Sequence, residues 1–345
     1  MRSNKFNKDI KLIILITLII LIILILSPIV FLNSDFNIFK PFEINNSVVK
    51  ETYKIELPKN KKVKLYRKDK DKLDEIDIEE YIIGVVASEM PANFDEDALK
   101  AQAVAARTYY INKLNNPCKE ASESEGEICD TTHCQVYMDK NERMKKWSEK
   151  DGNKNWDKIK KAVKDTEGQV LVYDGKVLEY PQFFAISSGK TESAKDVFSN
   201  DIPYLKSTDS TGEEIAPKYK SFIEVNLDDF IDKINKNYSN LNLSKNNIGS
   251  SMNIDSYTEG GAVKELKIGD QIIKGTEFRK LFNLNSTNFN WTIKDNIIKI
   301  YCTGYGHGVG MSQWGANAMA KDGKKYNEIL THYYDGVEIK NITYK

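Results

Sequence analysis

Residues 12–32 carry no charged side chain, and at about 1.5 Å of rise per residue they reach roughly 30 Å as a helix, the thickness of a bilayer's hydrocarbon core. That limits the segment to one membrane-crossing helix and leaves folding to the chain that follows. Arg2, Lys5, Lys8 and Lys11 precede it, so the positive-inside rule keeps residues 1–11 in the cytoplasm and sends the rest outside. The rival is a cleaved signal peptide. Leu26-Ser27-Pro28-Ile29-Val30-Phe31 runs on without a small-x-small cleavage site, which favours an uncleaved signal anchor. Residues 33–62 are polar, Lys/Asn-rich and aperiodic, and read as a stalk.

Residues 63–345 are long enough to bury a core. A hydrophobic content of 41% with 29% charge excludes a disordered chain. Lys+Arg and Asp+Glu both count 50, so no net field draws the chain to nucleic acid, which is not an expected partner. Periodicity predicts helices over 77–90, 95–113, 155–166, Leu227–Asn237, 312–321 and 326–334, with a hairpin over 170–186 turning at Asp174-Gly175. Residues 207–300 are poorer in motifs and read as short strands around one helix. The fold class is α+β: a mixed helix/strand ectodomain with an inserted smaller subdomain, after one N-terminal transmembrane helix.

On a helical wheel Ile78, Ile82, Val85 and Val86 form one apolar face with Glu89 at its centre, while Glu79 and Glu80 fall on the flank or opposite side and read as solvated. A carboxylate on a buried face is penalised when ionised. Pro91 ends this helix, so the dipole of the last turn pushes the Glu89 pKa the same way. A carboxyl group kept protonated near neutral pH is what general acid catalysis on a glycosidic oxygen requires. On the next helix Gln102 shares a face with Ala98, Ala105, Ala106 and Tyr109, opposite Lys100 and Arg107. It needs a buried partner, whether Glu89, a substrate amide or backbone.

Near the C-terminus Gly304-Tyr305-Gly306-His307-Gly308-Val309-Gly310-Met311 alternates at strand period. One face is left bare for a ligand or another backbone, with His307 on the other face. Ser312 offers an N-cap. Ser187-Ser188-Gly189 with Thr191-Glu192-Ser193 forms a polar cluster suited to hydrogen bonding, because a nucleophilic Ser188 lacks an adjacent base. Cys129, His133 and Cys134, with Cys118 as a further member, have ligand chemistry suited to zinc. A Cys118–Cys129 disulfide and free thiols remain open beside it.

Three segments, Val86-Ala87-Ser88-Glu89-Met90-Pro91, Ala98-Leu99-Lys100-Ala101-Gln102-Ala103-Val104-Ala105-Ala106-Arg107-Thr108-Tyr109 and Gly306-His307-Gly308-Val309-Gly310-Met311-Ser312-Gln313, resemble the stage II sporulation protein D family. Gln135-Val136-Tyr137, Ser188-Gly189, Pro203-Tyr204-Leu205 and His332-Tyr333-Tyr334 extend the resemblance, which covers 63–345 apart from much of 207–300. It implies a lytic transglycosylase, with Glu89 as catalytic acid and base, that cuts peptidoglycan glycan strands during engulfment of the forespore. Its substrates are strands already stripped of peptides, its partners the stage II sporulation proteins P, an amidase, and M. The same resemblance implies a catalytic domain in the intermembrane space on the mother-cell side. Substrate contacts are expected from Gln102, Gln135, Tyr137, Ser187, Ser188, Gly189, Thr191, Glu192, Tyr204, His307, Ser312 and Gln313, with one cleft gathering Glu89, Gln102, the 187–192 loop and the His307 strand. The chemistry requires no cofactor; a zinc on the Cys/His cluster would be structural.

The chain departs from the family pattern twice. Ala185 stands where many relatives have a histidine, and His133-Cys134-Gln135 replaces Asp-His-Gln. Three other readings compete. One is a non-catalytic enhancer of a cell-wall amidase. The second is a zinc-dependent hydrolase built on Cys129, His133 and Cys134. The third is a conventional glycosidase with Glu192 or Asp196 as second carboxylate.

Overall fold

A computed structural model of the chain describes residues 55–58, 60–238 and 241–344. The expected transmembrane helix and most of the stalk lie outside them. Among the described residues no helix is long and apolar enough to cross a membrane. Helices and short sheets are mixed along the chain, an α+β architecture.

The centre of the body is the helix Glu96–Asn115. Ala98, Ala101, Ala103, Ala105 and Ala106 are fully buried on it. Small side chains on every side let neighbours approach all round, as a helix without a solvent face requires. It packs against helices Ile78–Glu89, Glu149–Asp165, Gln313–Lys321 and Tyr326–Tyr333, and against strand Gln169–Tyr173. Asp95 caps its first turn and Asp77 that of Ile78–Glu89, each accepting from backbone N–H groups.

Strand Lys62–Arg67 pairs antiparallel with Lys72–Asp77 and parallel with Ile128–Cys129. Glu56–Leu57 pairs with Thr343–Tyr344, and Ile55 and Leu57 are buried, so the packed body reaches back ahead of the expected boundary at 63. The predicted turn forms, with Asp174 and Gly175 both at positive φ. Its second strand is only Lys176–Val177. Phe183–Phe184 instead pairs parallel with Met311–Ser312, so the hairpin expected to run to residue 186 is cut short. Within 207–300 a second hydrophobic core forms. Sheet Lys220–Asn226, Ile297–Thr303 and Phe289–Lys294 and sheet Met252–Tyr257, Val263–Ile268 and Gln271–Lys274 enclose Phe230, Phe278, Phe282 and Ile300.

Two sequence expectations are corrected. The helical wheel sets Arg107 opposite the packed face and Glu79 in solvent. Instead Arg107 is fully buried. Its Nε and Nη2 donate to the two carboxylate oxygens of Glu79 at 2.8 and 2.5 Å, and its Nη1 to the Gln169 carbonyl at 3.0 Å. A wheel assumes one wet face, and this helix has none. The alternating glycines do not form a strand either. Gly304, Gly306, Gly308 and Gly310 all have positive φ. A Cβ on Gly310 would meet the Gln182 carbonyl oxygen at 2.1 Å, and one on Gly304 the Ile186 carbonyl oxygen at 2.9 Å. The bare face is taken by the 182–192 backbone, not by a ligand.

Removing one partner of a buried ion pair leaves an uncompensated charge and costs about 3–5 kcal/mol. Glu79→Ala is expected to lower unfolding free energy by that amount in urea titrations. The joint change Glu79→Leu with Arg107→Met should cost clearly less than Glu79→Ala alone.

Candidate active site

Glu89 is the last residue of its helix. Met90, preceding Pro91, turns extended at φ −117° and ψ 145° while its N–H still donates to the Val86 carbonyl at 3.0 Å. The chain therefore leaves the helix at Glu89. The side chain is half-buried. Its Oε1 accepts the Val136 backbone N–H at 2.8 Å, and the Gln313 side chain also hydrogen-bonds it. Burial raises its pKa above the ordinary carboxylate value, and the two hydrogen bonds pull the other way without cancelling the rise.

Glu89 lines an open cavity of about 470 Å³ with Asn93, Asn155, Arg143, Trp147 and the Met90-Pro91-Ala92 turn. Among the described residues it is the only carboxylate lining this cavity. Arg143 and Trp147 went unremarked in the sequence reading. The signal was their i, i+4 spacing: Arg143 is in the helix Lys140–Met144 and Trp147 in the turn just after it, its N–H donating to the Arg143 carbonyl at 3.2 Å.

Val136 is presented by the loop that follows Cys129. Cys118, Cys129, His133 and Cys134 bring their ligand atoms within 4.8 Å of one another. His133 Nδ1 lies 3.7 Å from both the Cys129 and Cys134 sulfurs. A tetrahedral zinc with bonds of about 2.3 Å spaces its ligand atoms about 3.7 Å apart. Three sulfurs and one imidazole nitrogen at this spacing fit that metal.

The remaining expected contacts separate into three groups. Gln102 is fully buried with neither amide atom hydrogen-bonded. Gln135 is buried and donates to the Tyr81 hydroxyl and the Ala106 carbonyl. Tyr137 stacks on Tyr81 at 5.5 Å beneath the Arg67 guanidinium. Tyr204 packs on Tyr173, its hydroxyl accepting the Tyr180 N–H. None of these four lines the Glu89 cavity.

A second, much smaller cavity is lined by Ser187, Ser188, Glu192 and His307 and shares no lining residue with the first. Glu89 and these residues, expected in a single cleft, line separate cavities. The glycine run closes against 182–192 beside the second of them. His307 sits between Phe184 and Phe198 with Nδ1 accepting the Val309 N–H. Burial pushes its pKa down to about 4, so it is neutral at physiological pH. Thr191 is buried and exchanges bonds with Thr208, and Gly189 has φ 120°. Glu192 is buried, its N–H donating to the Gly308 carbonyl. Glu192 and Asp196 line a third cavity, against the inserted sheet.

The link between the two regions is Glu213, which the sequence reading missed. Only 1% exposed, it accepts from Ser210 Oγ at 2.6 Å, Ser312 Oγ at 2.6 Å and the Ser187 N–H at 2.8 Å. Burial pushes its carboxyl up to about 7. Ser312 is the N-cap of Gln313–Lys321, so Glu213 anchors the helix start from which Gln313 reaches Glu89. Nothing in the local pattern around Ser210 marks a carboxylate as buried.

Residues 66–173 match the family described as Stage II sporulation protein. The chain is 39% identical over 284 residues to stage II sporulation protein D of Bacillus subtilis (strain 168), covering 80% of this chain and 78% of that protein. It is 38% identical over 277 residues to the protein of the same name from Bacillus amyloliquefaciens, with the same coverage. It is 28% identical over 304 residues to a B. subtilis protein named amidase enhancer, covering 74% of this chain and 40% of that protein. With more than a third of residues shared along most of both chains, the protein belongs to the stage II sporulation protein D family.

Proposed function

We propose that this chain is a lytic transglycosylase acting on peptidoglycan glycan strands during forespore engulfment, held to the membrane by residues 12–32 with its catalytic body outside the cytoplasm. The observation that carries the reading is one carboxyl group, with its pKa raised by burial, in an open cavity that among the described residues has no second carboxylate. Ordinary glycosidases need two carboxyl groups about 5–9.5 Å apart. A transglycosylase needs one, because its nucleophile is part of the substrate.

Protonated Glu89 gives its proton to the oxygen joining muramic acid C1 to the next sugar, and the C1–O bond breaks. The muramic C6 hydroxyl oxygen then bonds to C1 while its proton returns to the Glu89 carboxylate. No water is consumed. Burial favours the acid form for the first step. The Val136 N–H and Gln313 steady the carboxylate that exists between the steps. Asn93 and Asn155 supply the hydrogen-bonding amides that sugar hydroxyl and acetamido groups require.

In the same reading Cys118, Cys129, His133 and Cys134 hold a structural zinc. Bound, it would close the loop leading to Val136 and take no part in proton transfer. Stage II sporulation proteins P and M are the proposed partners, with protein P stripping peptides from the strands beforehand.

Three outcomes are expected. Full-length chain should cleave peptide-free glycan strands, and Glu89→Gln should lower the rate by about 10²–10⁴-fold, the usual worth of a general acid. An amidase enhancer would keep its stimulation of amidase in that variant and release no glycan fragments in either form. Activity should fall as pH rises through the raised Glu89 pKa. Gln313→Ala, which removes a bond that favours the charged form, should move that falling limb to higher pH. Purified chain should carry about one zinc per molecule, and Cys129→Ser should lose it and unfold at lower temperature. Metal analysis finding none, with unfolding indifferent to chelator, would contradict the zinc assignment.

A further inference from the structure

Arg143 stands apart from the other arginines of the body. Arg107 is neutralised by Glu79, and Arg67 by Asp130 and Glu142. Arg279 donates to the carbonyls of Leu284 and Asn285. Among the described residues Arg143 makes no ion pair, and its Nε is buried without a hydrogen-bond partner. Burial pushes its pKa down with nothing to offset it.

Nearby carboxylates are committed elsewhere. Glu142, the preceding residue, bonds Arg67, Lys70 and the Asp139 N–H. Asp139 faces Arg67 and Lys70 and caps the helix Lys140–Met144 that carries Arg143. Glu89 shares the cavity but forms no ion pair with Arg143. The guanidinium carbon lies over the Trp147 ring, 4.7 Å from its centroid. An unpaired guanidinium held over an aromatic ring at a cavity wall suits a planar carboxylate, which it can grip with two parallel N–H donors.

We infer that Arg143 is a specificity-determining residue: it pairs with the free lactyl carboxylate of a muramic acid ring seated in the Glu89 cavity. This rests on the reading of that cavity as a glycan site. A muramic ring exposes this carboxylate only when no peptide is attached, since a stem peptide converts it to an amide. Arg143 is therefore the group that distinguishes stripped strands from peptide-bearing ones. An amide in its place would leave the buried donors and their charge uncompensated.

Binding tests this without requiring cleavage. Full-length chain carrying Glu89→Gln is titrated calorimetrically with a peptide-free muramic acid oligosaccharide, and with the same compound after conversion of its lactyl carboxyl to the methylamide. The methylamide should bind about 10–100-fold more weakly, the worth of a charge-assisted bidentate pair. Adding Arg143→Gln should bring the two ligands to equal affinity, and Arg143→Lys should restore part of the difference. Equal binding of the two ligands by the Arg143-containing chain, binding of neither, or discrimination that survives Arg143→Gln would overturn the assignment. The Arg143-containing arm decides even if the variant fails to fold. Carboxylate-dependent binding with no strand cleavage by the unsubstituted chain would sink the transglycosylase and leave this inference standing; cleavage without carboxylate dependence would do the reverse.

Discussion

The Arg107–Glu79 pair is the constraint on which the rest of the body depends. Glu79 belongs to the first turn of a helix whose last residue is Glu89, and Arg107 sits in the central helix, against which four other helices and the strand Gln169–Tyr173 pack. Their bidentate contact ties the two helices at one end. About 15 Å further along, at 1.5 Å per residue, Val136 and Gln313 hold the other end at the carboxyl group itself. A buried charge that is costly when unpaired makes a poor source of net stability but a strict guide to alignment. Here it aligns the helix that delivers the candidate acid.

At Glu89 two opposing influences meet, and burial outweighs the other. Burial favours the protonated carboxyl, and the two hydrogen bonds favour the carboxylate. The proposed chemistry needs both states, first the acid and then the carboxylate, and each has its support. The supports of the two bonds come from distant parts of the chain. One rides on the loop beside the Cys/His cluster. The other rides on a helix start anchored through Ser312 to Glu213. Glu213 also binds the Ser187 N–H, so the polar loop at 187–192 reaches the acid through structure and not through a shared cavity.

Much of this was legible in the sequence where local chemistry decides the outcome. Apolar spacing located the helix ending at Glu89, Pro91 marked where the chain leaves it, and Ser312 capped the helix it was expected to cap. Asp174-Gly175 turned the chain as its two positive φ values require. The failures share a different cause. Arg107 was misplaced because a helix with no wet face gives the wheel no reference direction. The glycine run imitated a strand in its period of two, yet its alternation comes from left-handed backbone packed against 182–192. Glu213 and Arg143 carry their meaning only in tertiary contacts, one through the donors it collects and the other through the partners it lacks. No local pattern encodes the first, and the spacing of Arg143 to Trp147 gives only the ring contact of the second, not its lack of an ion pair.

The central claim is that a single carboxyl group breaks the glycosidic bond with the substrate's own hydroxyl as nucleophile. It is tested most directly by digesting peptide-free glycan strands with the full-length chain in H₂¹⁸O and weighing the new ends by mass spectrometry. The account predicts 1,6-anhydro-muramic ends that contain no ¹⁸O. Reducing ends carrying ¹⁸O would contradict it, because they require an attacking water and a second group to activate it.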